Sequence, residues 1–252
     1  MKAILTDVTL CIGCQECVAA CKTKHNLEPD YPRNFHRTDG LSARNWTSIL
    51  QKDEHYIRKQ CRHCLEPACV SACPVAALVK TPEGAVTYDG SKCIGCRYCM
   101  IACPYGIPRY DWDRAIPYIQ KCTLCYDLIS VGQQPACTTA CPTEATIFGE
   151  RDELLAVAKQ RIKDNPDKYI NRVFGEHEVG GTSVLYLSDI DLGFMSYPMR
   201  DIKSSLPQTT SMAMSAVPPA FVGMGALMGG LYWFCKRKDK IRQQKNDKEG
   251  SE

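Results

Sequence analysis

The chain has 252 residues, of which 44% are hydrophobic and 23% charged, and its formal net charge is +3. This composition excludes a largely disordered, collagen-like or coiled-coil protein. Residues 236–252 hold seven Lys and Arg against four Asp and Glu, so residues 1–235 are balanced at 24 of each sign. Because no basic stripe lies outside that short segment, the sequence predicts no nucleic-acid partner.

Sixteen of the 17 cysteines form four motifs of four. The first and third motifs read C-x2-C-x2-C-x3-C, the second C-x2-C-x4-C-x3-C and the fourth C-x2-C-x11-C-x3-C. Their members, in chain order, are Cys11, Cys14, Cys17 and Cys21; Cys61, Cys64, Cys69 and Cys73; Cys93, Cys96, Cys99 and Cys103; and Cys122, Cys125, Cys137 and Cys141. Proline follows the last cysteine of every motif except the first.

This spacing is typical of [4Fe–4S] ferredoxins. Three closely spaced thiolates bind one cluster, and the fourth cysteine of the run binds the neighbouring cluster. We therefore predict four [4Fe–4S] clusters with all sixteen cysteines as iron ligands. The loop residues Gly13 and Gly95 suit a positive φ or a close backbone approach, and we expect the fourth cysteine of each motif to begin a helix.

Zinc and disulfides are the alternatives for these cysteines. Zinc ribbons separate their CxxC pairs by a dozen or more residues, and a disulfide framework gives no reason for a fourfold repeat. A membrane-anchored structural zinc protein remains the alternative of another class.

Beside the motifs, Lys92, Arg97 and Lys121 are candidates for raising a reduction potential, or else solvated charges. His63 is a candidate donor to sulfur, or else a solvent-facing side chain.

Motif separation predicts which motifs share clusters. Only 19 residues lie between Cys73 and Cys93, which suits a unit made of the second and third motifs, whereas 39 residues lie between Cys21 and Cys61. By elimination the first motif pairs with the fourth. The predicted ligand sets are Cys11, Cys14, Cys17 and Cys141; Cys122, Cys125, Cys137 and Cys21; Cys61, Cys64, Cys69 and Cys103; and Cys93, Cys96, Cys99 and Cys73.

Short regular elements are predicted around the motifs, in chain order. Strands are expected at Ala3–Asp7 and Ala85–Tyr88, before the first and third motifs. The insertion 22–60 contains Tyr31, Phe35 and Trp46, with a possible strand at Thr47–Gln51. It is a candidate docking surface for an electron donor, or else a surface decoration without a partner.

The region after the fourth motif is predicted to pack on the cluster domain. Asp152–Asp164 carries apolar residues at helical spacing, with acidic residues in its first turn. Gly180 and Gly181 then break the chain before a strand at Ser183–Leu187.

The C-terminal region predicts one transmembrane helix. No residue from Ser204 to Cys235 is charged, and Met212–Cys235 would span about 36 Å as a helix. If Pro218 and Pro219 begin the regular part, the remaining residues still span about 27 Å. Tyr232, Trp233 and Phe234 would form an aromatic belt before Lys236, Arg237 and Lys238. Gly225 and Gly229 would offer a small-residue face to a partner helix.

The basic tail predicts the orientation of this helix. It favours a cytoplasmic C-terminus and a cluster domain on the outer, periplasmic face of the cell membrane. The chain reaches Cys11 without a signal peptide or twin-arginine motif, so export would depend on a partner. The competing interpretation keeps the cluster domain inside the cell.

With these residues in view, the sequence resembles the four-cluster iron–sulfur subunits of the molybdopterin-oxidoreductase and membrane-hydrogenase families. The resemblance is carried by CIGCQECVAAC, QCRHCLEPACVSACPVAAL, KCIGCRYCMIACPYGIPRYD and KCTLCYDLISVGQQPACTTACPTEAT, and it extends to GLSARNWT and GEHEVGGTSVLYLSDID. Within these families the chain is most similar to the subunits of formate dehydrogenase N and of the hydrogenase 2 type. One departure is Lys22, which follows Cys21 where the other motifs have proline.

The resemblance implies an electron-transfer subunit and the same pairing of motifs. Its implied partners are a large catalytic subunit, an integral membrane subunit that binds quinone or haem, and the lipid bilayer. Electron flow in the opposite direction, to a terminal reductase, is the alternative within this class. A reductase with its own active-site cluster is disfavoured, because four thiolates per cluster leave no iron open to substrate.

The expected fold is therefore α+β, with two ferredoxin-like two-cluster units, an insertion and one C-terminal transmembrane helix. The expected divisions are a four-cluster domain at 1–150, a packing extension at 151–203, an anchor at 204–235 and a basic tail at 236–252.

Overall fold

The computed structural model describes residues 1–29, 35–37, 39–113, 117–195 and 202–249. Two units, Met1–Pro207 and Gln208–Glu252, make up the chain. In the described residues the strands are β1 (Lys2–Asp7), β2 (Thr47–Lys52), β3 (His55–Gln60), β4 (Leu78–Lys80), β5 (Val86–Tyr88), β6 (Arg109–Tyr110), β7 (Ile119–Gln120), β8 (Thr146–Glu150) and β9 (Val184–Leu187). The helices are α1 (Glu16–Lys24), α2 (Ala68–Ser71), α3 (Tyr98–Ala102), α4 (Tyr126–Ile129), α5 (Ala136–Thr139), α6 (Arg151–Asp164) and α7 (Leu206–Glu249).

The α+β class and the predicted elements are confirmed. Strands β1 and β5 precede the first and third motifs, β2 covers the predicted strand of the insertion, and α6 and β9 follow the fourth motif. Strand β1 has apolar side chains on both of its faces. Ala3 and Leu5 pack with residues of α6, whereas Ile4 packs in the cluster that contains motif cysteines.

The expectation that the fourth cysteine begins a helix is wrong. Helices α1, α2, α3 and α5 each begin one residue before the third cysteine of their motif. In the last three motifs the helix ends one or two residues before the fourth cysteine. That cysteine precedes a proline, and a residue before proline disfavours the helical conformation. In the first motif Lys22 replaces that proline, and α1 continues through Cys21 to Lys24. Proline therefore ends these helices.

Two similar halves are visible in the first unit. Strand β1, before the first motif, pairs antiparallel with β8, after the fourth. Strand β5, before the third motif, pairs antiparallel with β4, after the second. Helix α1 packs against α5, and α2 packs against α3. The first and fourth motifs therefore lie in one half, and the second and third in the other.

Strand β9 joins the extension to the first half. It pairs parallel with β1, giving a three-stranded sheet in the order β8, β1, β9. Leu154 and Ala158 of α6 pack with Leu5 and Leu185 on one face of that sheet. This burial of apolar surface fixes the extension to the region that carries the first and fourth motifs.

The β2–β3 hairpin lies in the protein core. Ile49, Leu50 and Ile57 are almost fully buried and pack in the same cluster as Ile4 and Val8. The hairpin part of the insertion is therefore structural, because it packs in the core of the half that carries the first and fourth motifs. The candidate docking segment around Tyr31 lies outside the described residues, and docking by the insertion stays a prediction.

The second unit contains the long helix α7 from Gln208 onward. Leu206–Arg242 is long and apolar enough to cross a membrane, and its apolar window of 18 residues has a mean hydropathy of 1.4. Pro218 and Pro219 lie inside the helix, so the expectation that they begin it is wrong. Prolines are tolerated within transmembrane helices when local adjustments satisfy the freed carbonyls. The helix also continues through the basic segment to Glu249.

A buried carboxylate connects the end of β1 to the extension. The side chain of Asp7 is 1% exposed, and its Oδ2 accepts hydrogen bonds from Arg161 Nη1 at 3.0 Å and the Tyr169 hydroxyl at 2.9 Å. Its Oδ1 accepts from the backbone N–H and the hydroxyl of Thr9, at 3.1 and 2.7 Å. Asp7 therefore holds together the turn before Cys11, helix α6 and the segment after α6.

Replacing Asp7 by Ala is expected to lower the free energy of unfolding by about 3 kcal/mol, because it breaks an ion pair whose carboxylate is buried. Only the Arg161 side of this pair is partly exposed to water. Asp89 is a matched control: its Oδ1 accepts from the backbone N–H and hydroxyl of Ser91 in the same way, but its side chain is 46% exposed. Asp89→Ala is expected to cost about 1 kcal/mol, as a lost cap. Urea unfolding of the iron-loaded chain measures both, and equal losses would contradict the role given to the buried network.

Candidate metal centre

All 17 cysteines lie among the described residues and are free thiols. Only Cys235, in α7, is exposed; the sixteen motif cysteines are buried or half-buried. The seventeenth cysteine is therefore set apart by its environment as well as by its position in the sequence.

The loops of the first and third motifs have the same unusual backbone. Gly13 and Gly95 both have φ near +70°, and Gln15 and Arg97 are left-handed as well. A Cβ atom at Gly13 would lie 2.6 Å from the ring of Tyr56, so the glycine is needed for space and for conformation. The positive φ expected at both glycines is confirmed.

One group of cysteines surrounds a cavity. Cys11, Cys14, Cys17 and Cys141 line it, together with Arg58 and other residues of the loop and the neighbouring strands. Three of these cysteines come from the first motif and the fourth from the end of the fourth motif, 120 or more residues along the chain. The packing of α1 against α5 brings them together.

Cysteines of different motifs also pack together elsewhere. Cys17 and Cys137 lie in one apolar cluster. Cys61 and Cys122 share a second cluster, against which Cys64 and Cys103 pack. Cys99 lies in a third, with Cys69 and Cys73 packed against it. Electrostatics agrees with this grouping. The pKa of the Cys21 thiol is raised by Cys137 and Cys125, that of Cys64 by Cys61, Cys103 and Cys69, and that of Cys99 by Cys96, Cys73 and Cys93, in each case after burial as the largest cause.

Contacts between these groups give them a linear order. The group around Cys11 meets the group around Cys125 through Cys17 and Cys137. That second group meets the group around Cys64 through Cys122 and Cys61, which lie in one cluster. The group around Cys64 meets the group around Cys96 through Cys69 and Cys99. Cys69 packs against the apolar cluster that contains Cys99, and Cys99 raises the pKa of the Cys69 thiol. We call these the first, second, third and fourth groups, in that spatial order.

Burial and mutual repulsion oppose ionisation of these thiols. Burial first, and then neighbouring thiolates, raise the pKa of Cys17, Cys21 and Cys69 to about 12. The pKa values of the Cys122 and Cys64 thiols are raised for the same reasons. Burial therefore opposes the gathering of four thiolates in one group, and a cationic group is required to hold them together.

Backbone donors point at several sulfurs. The N–H groups of Ala77 and Leu124 donate to Cys73 Sγ at 3.2 Å and to Cys122 Sγ at 3.4 Å. Burial raises the pKa of the Cys73 thiol, but backbone N–H groups outweigh it and give a net lowering. Such donors stabilise thiolate ligands and tune the potential of an iron–sulfur site.

His63 is buried, so the solvent-facing interpretation of this residue is wrong. Its exposed fraction is 0%, its Nδ1 accepts from the N–H of Val86 at 2.8 Å, and its Nε2 finds no partner in the part of the chain that the structure describes. Nδ1 as acceptor leaves the proton on Nε2. An orphaned donor next to Cys64 fits a bound group with sulfur acceptors.

The three candidate cations differ in environment. Lys92 is more than half exposed and lies 3.5 Å from Asp89. Arg97 stacks on the ring of Trp112 at 4.5 Å. Lys121 is 4% exposed and donates to two backbone carbonyls, one of them that of Cys122, at 3.1 Å. Of the three, Lys121 has the position from which its charge acts on buried thiolates.

Two residues near the thiols were not identified from the sequence. The Tyr110 hydroxyl lies 3.3 Å from Cys99 Sγ, and Arg58 lines the first cavity from β3. Tyr110 could have been suspected from its place in GIPRYD, seven residues after Cys103. Nothing in the sequence around Arg58 distinguishes it from the neighbouring Lys59, because only the hairpin packing turns it inward.

The donor set fits [4Fe–4S] clusters. Within the described residues, no three His, Cys, Asp or Glu side chains converge on a point that suits a single metal ion. Around tetrahedral zinc, with Zn–S bonds near 2.3 Å, thiolates lie about 3.8 Å apart. A larger group with its own sulfurs suits the thiols that meet from different motifs, the cavity around the first group, the backbone donors to sulfur and the orphaned nitrogen of His63.

Comparison with known proteins agrees with this chemistry. Family models for a 4Fe-4S dicluster domain and a 4Fe-4S binding domain match residues 52–151 and 9–24. The hydrogenase-2 operon protein HybA of Escherichia coli O157:H7 is 35% identical over 278 residues, covering 94% of this chain and 84% of the relative. A formate dehydrogenase iron-sulfur subunit of Haemophilus influenzae is 36% identical over 247 residues, covering 89% and 77%. A Nitratidesulfovibrio vulgaris protein is 41% identical over 250 residues, covering 94% and 68%. The chain therefore belongs to the family of iron–sulfur electron-transfer subunits of hydrogenase and formate dehydrogenase type.

Proposed function

We propose that this chain passes electrons between a large catalytic subunit and an integral membrane subunit that binds quinone or haem. The catalytic partner is of the uptake [NiFe] hydrogenase type or the molybdenum or tungsten formate dehydrogenase type, since relatives of both kinds cover most of the chain. The observation that carries the proposal is the linear order of four cysteine groups through one folded unit. A [4Fe–4S] cluster supplies reversible uptake of one electron when it is bound.

The proposed ligand sets follow the four groups. Each takes three cysteines from one motif and the last cysteine of another: Cys11, Cys14, Cys17 and Cys141; Cys122, Cys125, Cys137 and Cys21; Cys61, Cys64, Cys69 and Cys103; Cys93, Cys96, Cys99 and Cys73. The cavity around the first set and the packing of α1 with α5 and of α2 with α3 support this assignment. Four thiolates per cluster leave no iron open to substrate, so we propose no catalytic residue in this chain.

We propose that α7 anchors the chain in the cell membrane. Near the end of its apolar part, Lys236 and Arg237 stack on the rings of Tyr232 and Trp233, at 5.5 and 5.3 Å. Such aromatic and basic residues occupy the membrane–water interface, and the basic end favours the cytoplasmic side. The cluster domain then lies on the periplasmic face.

Electron paramagnetic resonance on membranes that hold the native complex tests this function. Hydrogen or formate is added separately to oxidised membranes, and the reduced-cluster signals are recorded. We expect one of the two donors to reduce the clusters, because the chain receives its electrons from the catalytic subunit. Hydrogen alone would assign the partner as a hydrogenase, and formate alone as a formate dehydrogenase.

Other outcomes would contradict parts of the proposal. Reduction only by a quinol would reverse the direction of flow, toward a terminal reductase. Absence of iron and of cluster signals from the purified chain, with zinc present, would replace electron transfer by structural zinc binding. Iron content near sixteen atoms per chain is the value expected for four clusters.

A further inference from the structure

Arg58 is a buried cation at the junction of the first and second cysteine groups. It lies in β3 and is 2% exposed. Its side chain lines the cavity formed by Cys11, Cys14, Cys17 and Cys141. Thr146, which accepts a hydrogen bond from Arg58 Nη1, lines the same cavity, so the guanidinium lies at the cavity wall.

The hydrogen-bond partners of Arg58 are neutral. Its Nε donates to Thr47 Oγ1 at 3.1 Å and its Nη1 to Thr146 Oγ1 at 3.3 Å. No ion pair joins it to a carboxylate within the described residues, whereas the adjacent buried cation Lys59 pairs with Asp39 at 3.2 Å. A buried guanidinium without a counter-anion is strongly unfavourable, so its compensating charge has to come from another source.

The cysteines of the first two groups lie beside this cation, because Arg58 lines the cavity of the first group and Cys17 of that group packs in one apolar cluster with Cys137 of the second. As cluster ligands these cysteines are thiolates and supply the compensating negative charge. Burial alone would lower the pKa of Arg58, but the nearby thiolates of Cys137, Cys17 and Cys122 outweigh it and raise the pKa. Arg58 in turn favours the thiolate forms of Cys11, Cys21 and Cys125, as it does that of Cys17. These cysteines all belong to the first and second groups.

Other cations serve the third group. Lys80 favours the thiolate of Cys64, and Lys121 favours that of Cys69. Lys80 donates to the carbonyl groups of His63 and Gly84, at 2.9 and 2.7 Å. The third group therefore has cations of its own and provides an internal reference for any change made at Arg58.

We infer that Arg58 is a positioning residue for charge, the shared counter-cation that raises the reduction potentials of the first and second clusters. Four thiolates outweigh the positive charge of an iron–sulfur core, and reduction adds a further negative charge. A fixed cation in a buried, poorly polarisable site stabilises the reduced form more than the oxidised form. This inference rests on the proposed ligand sets of those two clusters.

The test is a redox titration of the full-length chain, purified without oxygen in detergent and followed by electron paramagnetic resonance. Arg58→Gln and Arg58→Met remove the charge, and Arg58→Lys retains it. In the two neutral variants we expect the ratio of reduced to oxidised cluster, at a fixed potential, to fall at least tenfold for the first and second clusters. That change corresponds to 59 mV for a one-electron couple.

The third and fourth clusters are expected to keep their potentials in all three variants, and Arg58→Lys to restore most of the shift. Signals are assigned with Cys11→Ala and Cys137→Ala, which remove the first and second clusters respectively. If the neutral variants lose the first two clusters while Arg58→Lys retains them, the positive charge is required there, which supports the inference.

Three results would overturn it. These are unchanged potentials in neutral variants that keep their iron, an equal shift of all four clusters, and loss of iron in Arg58→Lys as well. Iron content of the unmodified chain separates this failure from failure of the proposed function. An unmodified chain without about sixteen iron atoms contradicts the proposed clusters themselves.

Discussion

Replacing Cys141 by Ala is expected to remove the same cluster as replacing Cys11, although the two cysteines are far apart in the sequence. Both thiols line one cavity, and α5, which ends just before Cys141, packs against α1. Iron content is expected to fall from about sixteen to about twelve atoms per chain, since one four-iron cluster is lost. The cluster signal that disappears identifies the site.

Two control variants make this test specific. Cys137→Ala changes a cysteine of the same motif, four residues before Cys141, and is expected to remove a different signal. Cys235→Ala changes the exposed cysteine of α7 and is expected to leave all iron in place. If Cys141→Ala and Cys137→Ala abolish the same signal, each motif binds its own cluster, and the proposed exchange of ligands is wrong.

Two arginines in the middle of α7 are expected to release the chain from the membrane. Val222 and Leu227 are exposed on the helix in the structure, in its uncharged part. Arginine at the centre of a transmembrane helix costs about 2.5–3.5 kcal/mol, so Val222→Arg with Leu227→Arg costs about 5–7 kcal/mol in total. We expect alkaline carbonate to extract the double variant, while the unmodified chain requires detergent.

The control for added charge is Ile241→Arg. Ile241 is an exposed apolar residue of the same helix, but it lies between Lys240 and Arg242, beyond the uncharged run. We expect this variant to stay in the membrane, because basic residues beyond the apolar run lie at the membrane–water interface, where their charge is tolerated. Resistance of the double variant to carbonate would show that α7 is not the anchor.

Features set by short stretches of chain were predictable from the sequence. Cysteine spacing identified the ligand type and the ferredoxin class, since three thiolates two residues apart form a loop whatever the rest of the fold does. The strand before Cys11 was expected from the strand–loop–helix order of ferredoxins, and the helix after Glu150 from apolar periodicity. The apolar span of α7 followed from its length without charge. Two predicted helix starts were wrong, at the fourth cysteine of each motif and at Pro218 and Pro219. Both relied on proline as a helix start, but proline also ends a helix at the preceding residue and is tolerated inside a transmembrane helix.

The tertiary structure decided which distant segments meet. The β2–β3 hairpin is in the core because Leu50 and Ile57 pack on Ile4, and no local pattern separates that arrangement from a surface hairpin. The burial of His63 and Arg58 follows from the same packing. Their roles depend on which thiols lie beside them.

By itself, then, the sequence determined the class of cofactor and the apolar C-terminal helix, because covalent spacing and composition are properties of short segments. Only the folded chain decided the order of the cysteine groups and the cation placed between the first two. Those features arise from contacts between residues as distant as Cys11 and Cys141, which form only when the hydrophobic effect closes the intervening loops.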